Sequence, residues 1–273
     1  MQTARSRAGS VIRLEYHPPL VRPSERLAPE RRADRYEEER RQGEVIAAAD
    51  MEHVWGWSGR AGSLRADRRA EFLIEATGMG PGVRALELGV GTGIFTQRLV
   101  ESGCDLVALE LSAATAARCR ERVGDRAEIV IGNAETGEGL EGREFDVIVG
   151  VSILHHVNMD LCMQNCVSLL RRGGRFAFSE PNMANPQVWW TKNVDWTSQR
   201  LHETRHETAF RVGELRALFE RYGYVVETAE PFDFLHPKTP ARLVPVVRRL
   251  ERVLERTPVR AIAGSVRVAG HRP

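Results

Sequence analysis

The chain has 273 residues, 42% hydrophobic and 28% charged, with a formal net charge of +2. That balance is ordinary for a globular protein with a core and gives no large basic field, so nucleic acid is excluded as a main partner. The opening residues lack the unbroken apolar stretch of a secretion signal, and no run nears the ~20 apolar residues of a membrane span, so a cytoplasmic protein with no membrane partner is expected.

Residues 1–28 are rich in Arg and broken by Pro18, Pro19 and Pro23, which reads as an extended arm. The charged run 29–49 predicts a helix with mixed charge on its wet face, and 63–77 predicts another, with Phe72, Leu73 and Ala76 inward and Gly78 as its C-cap. The arm and helical lid are assigned to 1–62 and the core to 63–273, with 181–210 as an inserted substrate lid. The arm offers a means of homo-oligomer contact.

From residue 83 strands and helices alternate: strand 83–88, helix 93–102, strand 106–110, helix 112–123, strands 127–131 and 145–151, helix 159–171, strand 174–180. The strands are short continuous apolar runs, as expected where helices cover both faces of a parallel sheet, so the class is α/β, Rossmann-like and doubly wound. Helix 211–222 carries Val212, Leu215, Leu218, Phe219 and Tyr222 on one face, and strands 224–230 and 261–269 close the sheet. Between them, 239–256 sets Leu243, Val246, Val247, Leu250 and Leu254 opposite Arg242, Arg248, Arg249, Arg252 and Arg256. That pattern is open to two readings, a membrane-surface helix or one packed on the sheet with solvated arginines, and packing is the expectation. Cys104, Cys119, Cys162 and Cys166 fall on helices or their ends without a CxxC pair and read as small core residues.

The sharpest signal lies at 85–95, ALELGVGTGIF, where an apolar strand turns through Gly89, Gly91 and Gly93 into a helix. Glycines there let backbone N–H groups approach a cofactor closely. The register is G-x-G-x-G, and Ile94 stands where a dinucleotide fold needs its third glycine. Glu87 leads the turn; a carboxylate there repels a pyrophosphate and suits an ammonium or sulfonium group.

These residues resemble the class I S-adenosylmethionine-dependent methyltransferases, whose first motif is E/D-x-G-x-G-x-G, and the small-molecule, ubiquinone/menaquinone-type members in particular. The resemblance runs from about residue 70 to 224. It implies a seven-stranded, mostly parallel sheet with an antiparallel last strand. It also implies S-adenosylmethionine as cofactor, held by Glu87, Gly89, Gly91, Thr92, Gly93, Leu111, Ala134 and Val151, with Glu110 on the ribose hydroxyls. Asn133 stands where the family usually has Asp to read the adenine amino group; it keeps an acceptor oxygen.

Methyl transfer is an in-line displacement, and a hydroxyl, activated carbon or ammonium acceptor must also lose a proton. His155 and His156, after the fourth strand, are the candidate bases or else hold the loop, with His155 the better placed. Tyr16 is a further proton acceptor for a carbon-methylation route. Ser152, Glu180 and Asn182 also sit at strand ends. No metal is expected: the literal HExxH at 202–206 lacks a third-ligand motif in an α/β chain that already has a ligand site. Trp55, Trp189, Trp190 and Trp196, with His202, are candidate substrate-binding residues in the two lids, where they wall an apolar acceptor or pin the lids. The function implied is O- or C-methylation of a small apolar or aromatic natural-product acceptor, a prenylated one included. The alternatives are a cyclase on the same fold and an NAD(P)-dependent oxidoreductase.

Overall fold

The computed structural model describes residues 29–48, 51–193 and 209–273. Three helices precede the sheet: α1 (Pro29–Ala48), the short α2 (Met51–Val54) and α3 (Gly59–Thr77). α3 stops at Gly78, whose left-handed backbone (φ 71°) directs its N–H to the Ile74 carbonyl, as expected of that C-cap.

Seven strands follow: β1 (Arg84–Leu88), β2 (Asp105–Glu110), β3 (Glu128–Ile131), β4 (Phe145–Val151), β5 (Leu170–Pro181), β6 (Val225–Phe232) and β7 (Ser265–His271). Their order is β3-β2-β1-β4-β5-β7-β6. The first five pair in parallel, and β7 runs antiparallel between β5 and β6. The sheet reverses its winding beside β1, which places a crevice at the C-terminal tips of β1, β2 and β4.

Alternate strand residues feed two cores, as a doubly covered sheet requires. Leu86, Leu109, Ile148, Phe176, Phe178 and Val268 face one layer with α6 (Met159–Leu169) and α8 (Val212–Arg221), while Ala85, Leu106, Val147, Val149 and Ala177 face the other with α3. Leu215, Leu218 and Phe219 are the buried face of α8, and Phe219 stacks on Phe176 with ring centroids 4.3 Å apart. The four cysteines are free and buried.

α3 and β5 begin earlier than expected, at Gly59 and Leu170, and three further differences have a clear physical cause. The helix expected over 93–102 is cut to α4 (Thr96–Leu99) and a 3-10 turn, because Gly93 sits at φ 81° and cannot start a right-handed helix. β7 begins at Ser265 rather than 261, because Pro258–Ile262 forms a 3-10 turn whose end is held by the Asn182 amide, bonded to the Ala261 and Ala263 carbonyls at 2.9 and 2.7 Å.

The third is the helix α9 (Val244–Leu254), rotated so that of the expected stripe only Val247 and Leu254 are partly buried, Val247 against the cluster of Leu235 and Val244. Its buried residues are Val244 and Glu251, and Leu243, Val246 and Leu250 face outward. Glu251 decides the rotation: it accepts the Phe234 and Leu235 N–H groups at 2.7 and 3.3 Å and pairs with Arg68 at 2.9 Å and Arg248 at 3.1 Å. A buried carboxylate needs such partners, and here they lie on the body side of the helix.

Candidate active site

A cavity of about 680 Å³ opens over the tips of β1, β2 and β4. Gly89 and Gly91 line it, at φ 66° and 53°. A Cβ on Gly89 would stand 2.4 Å from Ile153 Cδ1, whereas one on Gly91 would meet nothing within 4 Å and would project into free space. Gly93 is not a lining residue. Its missing Cβ makes room for Cys119 Sγ, which would be 2.8 Å away, so it packs the turn against α5 (Ala113–Val123).

At the tip of β2, Glu110 accepts the Gly91 N–H at 2.7 Å, the Ser112 N–H at 3.1 Å and the Thr115 hydroxyl at 3.0 Å. These bonds fix a cavity-lining carboxylate in one pose, with lone pairs left for a ligand. Leu111, Ala134 and Val151 line the same wall. Asn133 lines it too, but its Oδ1 accepts the Glu135 N–H at 2.8 Å and closes a local turn.

α1 forms the roof, a role that reading it as a wet-faced helix missed. Its Arg35, Tyr36, Glu39, Gly43 and Ile46 line the cavity. Arg35 and Tyr36 both bond the buried Glu135, the tyrosine at 2.8 Å, and Glu135 also accepts the Asn158 N–H at 2.7 Å. Further along, Gly43 lies so close to Ser112 that a Cβ would stand 2.3 Å from its Cβ. A glycine inside a charged helix, costly there by propensity, was the sequence signal for this contact. α2 is tied to the glycine turn by Glu52, which accepts the Thr92 hydroxyl at 2.8 Å and pairs with Arg122.

His155 lines the cavity from the loop after β4 and is buried. Its Nδ1 lies 2.6 Å from Glu180 Oε2, while Glu180 Oε1 accepts the Ile153 and Leu154 N–H groups at 3.0 and 2.9 Å. Burial pushes Glu180 up to about 7. The His156 ring lies tilted against His155 with centroids 4.2 Å apart, and its Nδ1 stands 3.6 Å from Glu39 of the roof.

Trp55, Trp57, Phe234 and Leu235 also line the cavity, interleaved with Arg65, Arg69, Asp233 and His236. Trp57 is fixed edge-on to Phe95 with centroids 5.2 Å apart, and the Arg65 and Arg69 guanidiniums lie over its ring at 4.8 and 5.1 Å. Behind it, Asp233 pairs with Arg65 at 2.9 Å and Arg69 at 2.6 Å. Lys192 and Lys238 line the rim.

A family profile described as a methyltransferase domain matches residues 86–178, from β1 through β5. The chain is 29% identical over 96 residues to the ubiquinone biosynthesis O-methyltransferase of Chelativorans sp., covering 34% of this chain and 38% of that protein. It is 27% identical over 126 residues to nodulation protein S of Rhizobium tropici, covering 45% and 53%. Among solved structures, the N-methyltransferase NodS of Bradyrhizobium japonicum in complex with S-adenosyl-L-homocysteine superposes with a TM-score of 0.58 at 15% identity, over 86% of this chain and 98% of that one. Residues 86–178 match a methyltransferase domain, and the sheet that holds them has the fold of the class I S-adenosylmethionine-dependent methyltransferases. The chain spans only 38% and 53% of the length of the two curated relatives.

The methyltransferase cavity fits this cofactor on its own evidence: the space beside Gly91 that a Cβ would fill, and the fixed Glu110 carboxylate next to it. One expected contact changes role. Glu87 lies beneath the glycine turn, 2% exposed and outside the cavity lining, and burial pushes it up to about 8. Burial works against its charged form, and the carboxyl lies beneath the turn rather than in the cavity wall.

Trp55 lines the methyltransferase cavity as expected, but Trp189 and Trp190 do not. They lie on α7 (Pro186–Asn193), 48% and 55% exposed, and the same helix turns Val188 and Thr191 inward. An eight-residue helix shows one face to the cavity, and the two tryptophans fall on the other. Tyr16, Trp196 and His202, with the rest of the HExxH, lie outside the described residues. Among the described residues no group of three His, Cys, Asp or Glu side chains is placed to hold a metal, and no helix is long and apolar enough to cross a membrane.

Proposed function

We propose that the protein methylates a small apolar or aromatic acceptor, at oxygen or carbon, with S-adenosylmethionine as donor and His155 as base. The observation that carries the reading is a single cavity that holds the Gly91–Glu110 cradle, the His155–Glu180 pair and the Trp55–Trp57 wall. When bound, the cofactor supplies an electrophilic methyl group. Gly89, Gly91, Glu110, Leu111 and Ala134 would hold it, and α1 would shield it from water. Glu180 orients the His155 ring through Nδ1 and leaves Nε2 as the acceptor for a substrate proton. The aromatic wall favours flat or apolar acceptors and lends its π faces to any cationic character that develops.

The direct test follows S-adenosylhomocysteine by mass spectrometry in reactions with candidate apolar acceptors; a fold-sharing binder, or a cyclase without coupled methyl transfer, would release none. Glu110→Ala should weaken S-adenosylhomocysteine binding by about 1.5–3 kcal/mol, the scale of hydrogen bonds to a charged group. Titration calorimetry reads this, and unchanged affinity would remove Glu110 from ribose recognition.

A further inference from the structure

With Glu251 facing the body, α9 presents an unpartnered apolar stripe to solvent. Leu243, Val246, Leu250 and Val253 are 45%, 55%, 57% and 61% exposed. At about 100° per residue they share an arc of about 80°. Arg249, Arg252 and Arg256 follow along one side of that stripe, exposed. Among the described residues these three and Arg242 have no acidic partner within ion-pair distance.

The patch extends beyond the helix. Val259 and Ile262, 46% and 44% exposed, continue it on the 3-10 turn Pro258–Ile262. That turn is bonded to the start of α7, the Asn185 amide donating to the Ile262 carbonyl at 2.8 Å. α7 adds the exposed rings of Trp189 and Trp190. The cavity rim is built from these elements and their neighbours: Val188 and Thr191 of α7, Leu235 to Lys238 before α9, and Gly264 and Ser265 after the turn.

We propose that this face docks on an anionic lipid bilayer, so that an acceptor dissolved in the membrane reaches the cavity from its rim. An apolar stripe flanked by arginines and carried with exposed tryptophans matches the chemistry of a bilayer surface: the stripe enters the acyl boundary, the guanidiniums meet phosphate headgroups and the indoles sit between. A second copy is the poorer occupant. A two-fold contact would set the same unpaired arginines against each other. The docking stands on the surface alone; delivery of the acceptor rests on the function proposed above.

The test is co-sedimentation of the full chain with vesicles of phosphatidylcholine, alone or with about a third phosphatidylglycerol. Binding should be at least about tenfold stronger to the anionic vesicles and should weaken at high salt. Leu250→Glu with Val253→Glu should abolish it, and Arg249→Gln with Arg252→Gln and Arg256→Gln should cut it about tenfold. Neither set touches the cavity, so S-adenosylhomocysteine binding and thermal midpoint serve as folding controls and should stay unchanged. Absence of binding to anionic vesicles overturns the proposal, as does binding that ignores these substitutions. So does a dimer in sedimentation that Leu250→Glu disperses while vesicles stay unbound. Vesicle binding without S-adenosylhomocysteine release from any acceptor would uphold the docking and remove the methyl-transfer reading.

Discussion

His155→Ala should lower kcat by roughly 10²–10⁴-fold, the range for loss of a positioned general base, with S-adenosylhomocysteine affinity unchanged. The geometry behind this is the 2.6 Å contact between His155 Nδ1 and Glu180, itself anchored by two backbone N–H groups. With Glu180 ionised, it accepts the Nδ1 proton and Nε2 is the basic nitrogen. With Glu180 protonated, its own proton enters that bond and the imidazole proton moves to Nε2, which can no longer accept. Since burial raises Glu180 to about 7, turnover should climb with pH through about 7. Stability cannot mimic this rise. A carboxyl raised from 4.5 to about 7 by folding stabilises the protein below about 4.5, and the contribution is lost as pH climbs through 7, the opposite direction. Glu180→Gln should flatten the climb. A His155→Ala enzyme with full turnover would reduce the pair to a loop support.

Arg69→Met should cost roughly 3–5 kcal/mol of folding stability in urea unfolding at neutral pH, the scale of leaving a buried charge with a broken pair. Arg69 is 2% exposed, donates to the Ser265 hydroxyl at 2.5 Å and to the Arg65 carbonyl at 3.0 Å, and pairs with Asp233. Burial pushes its guanidinium down to about 10. Burial alone would push Asp233 up, but Arg69 and Arg65 outweigh it and hold that carboxyl below its usual range. Without Arg69, Asp233 keeps only Arg65 in the same dry site. Adding Asp233→Asn to Arg69→Met should therefore recover part of the loss; a cost below about 1 kcal/mol for the single variant would show that water reaches the pair.

The sheet was legible in the sequence because both its faces are covered, so β1, β2 and β4 appear as unbroken apolar runs, and the glycine turn has few rival readings. Glu110 was legible for the same reason, as an acid ending such a run. Three features were not. The roof role of α1 rests on Arg35 meeting Glu135, a partner 100 residues away that no local period marks. Glu87 was read by position as a charged contact, and only the fold shows its carboxyl buried beneath the turn, where the charged form is disfavoured. The rotation of α9 departs from its apolar pattern, because one buried glutamate with four partners outweighs a stripe of aliphatic side chains. The tryptophans were singled out by clustering, and clustering cannot separate the inner from the outer face of a short helix.

Lys192 and Lys238 are the only lysines among the 39 basic side chains of Lys and Arg, and both stand on the cavity rim. Arginine stays protonated and inert toward amine reagents, so labels that react with side-chain primary amines would report on the proposed substrate entrance. The distribution of two amino acids has made that entrance chemically addressable without any engineering.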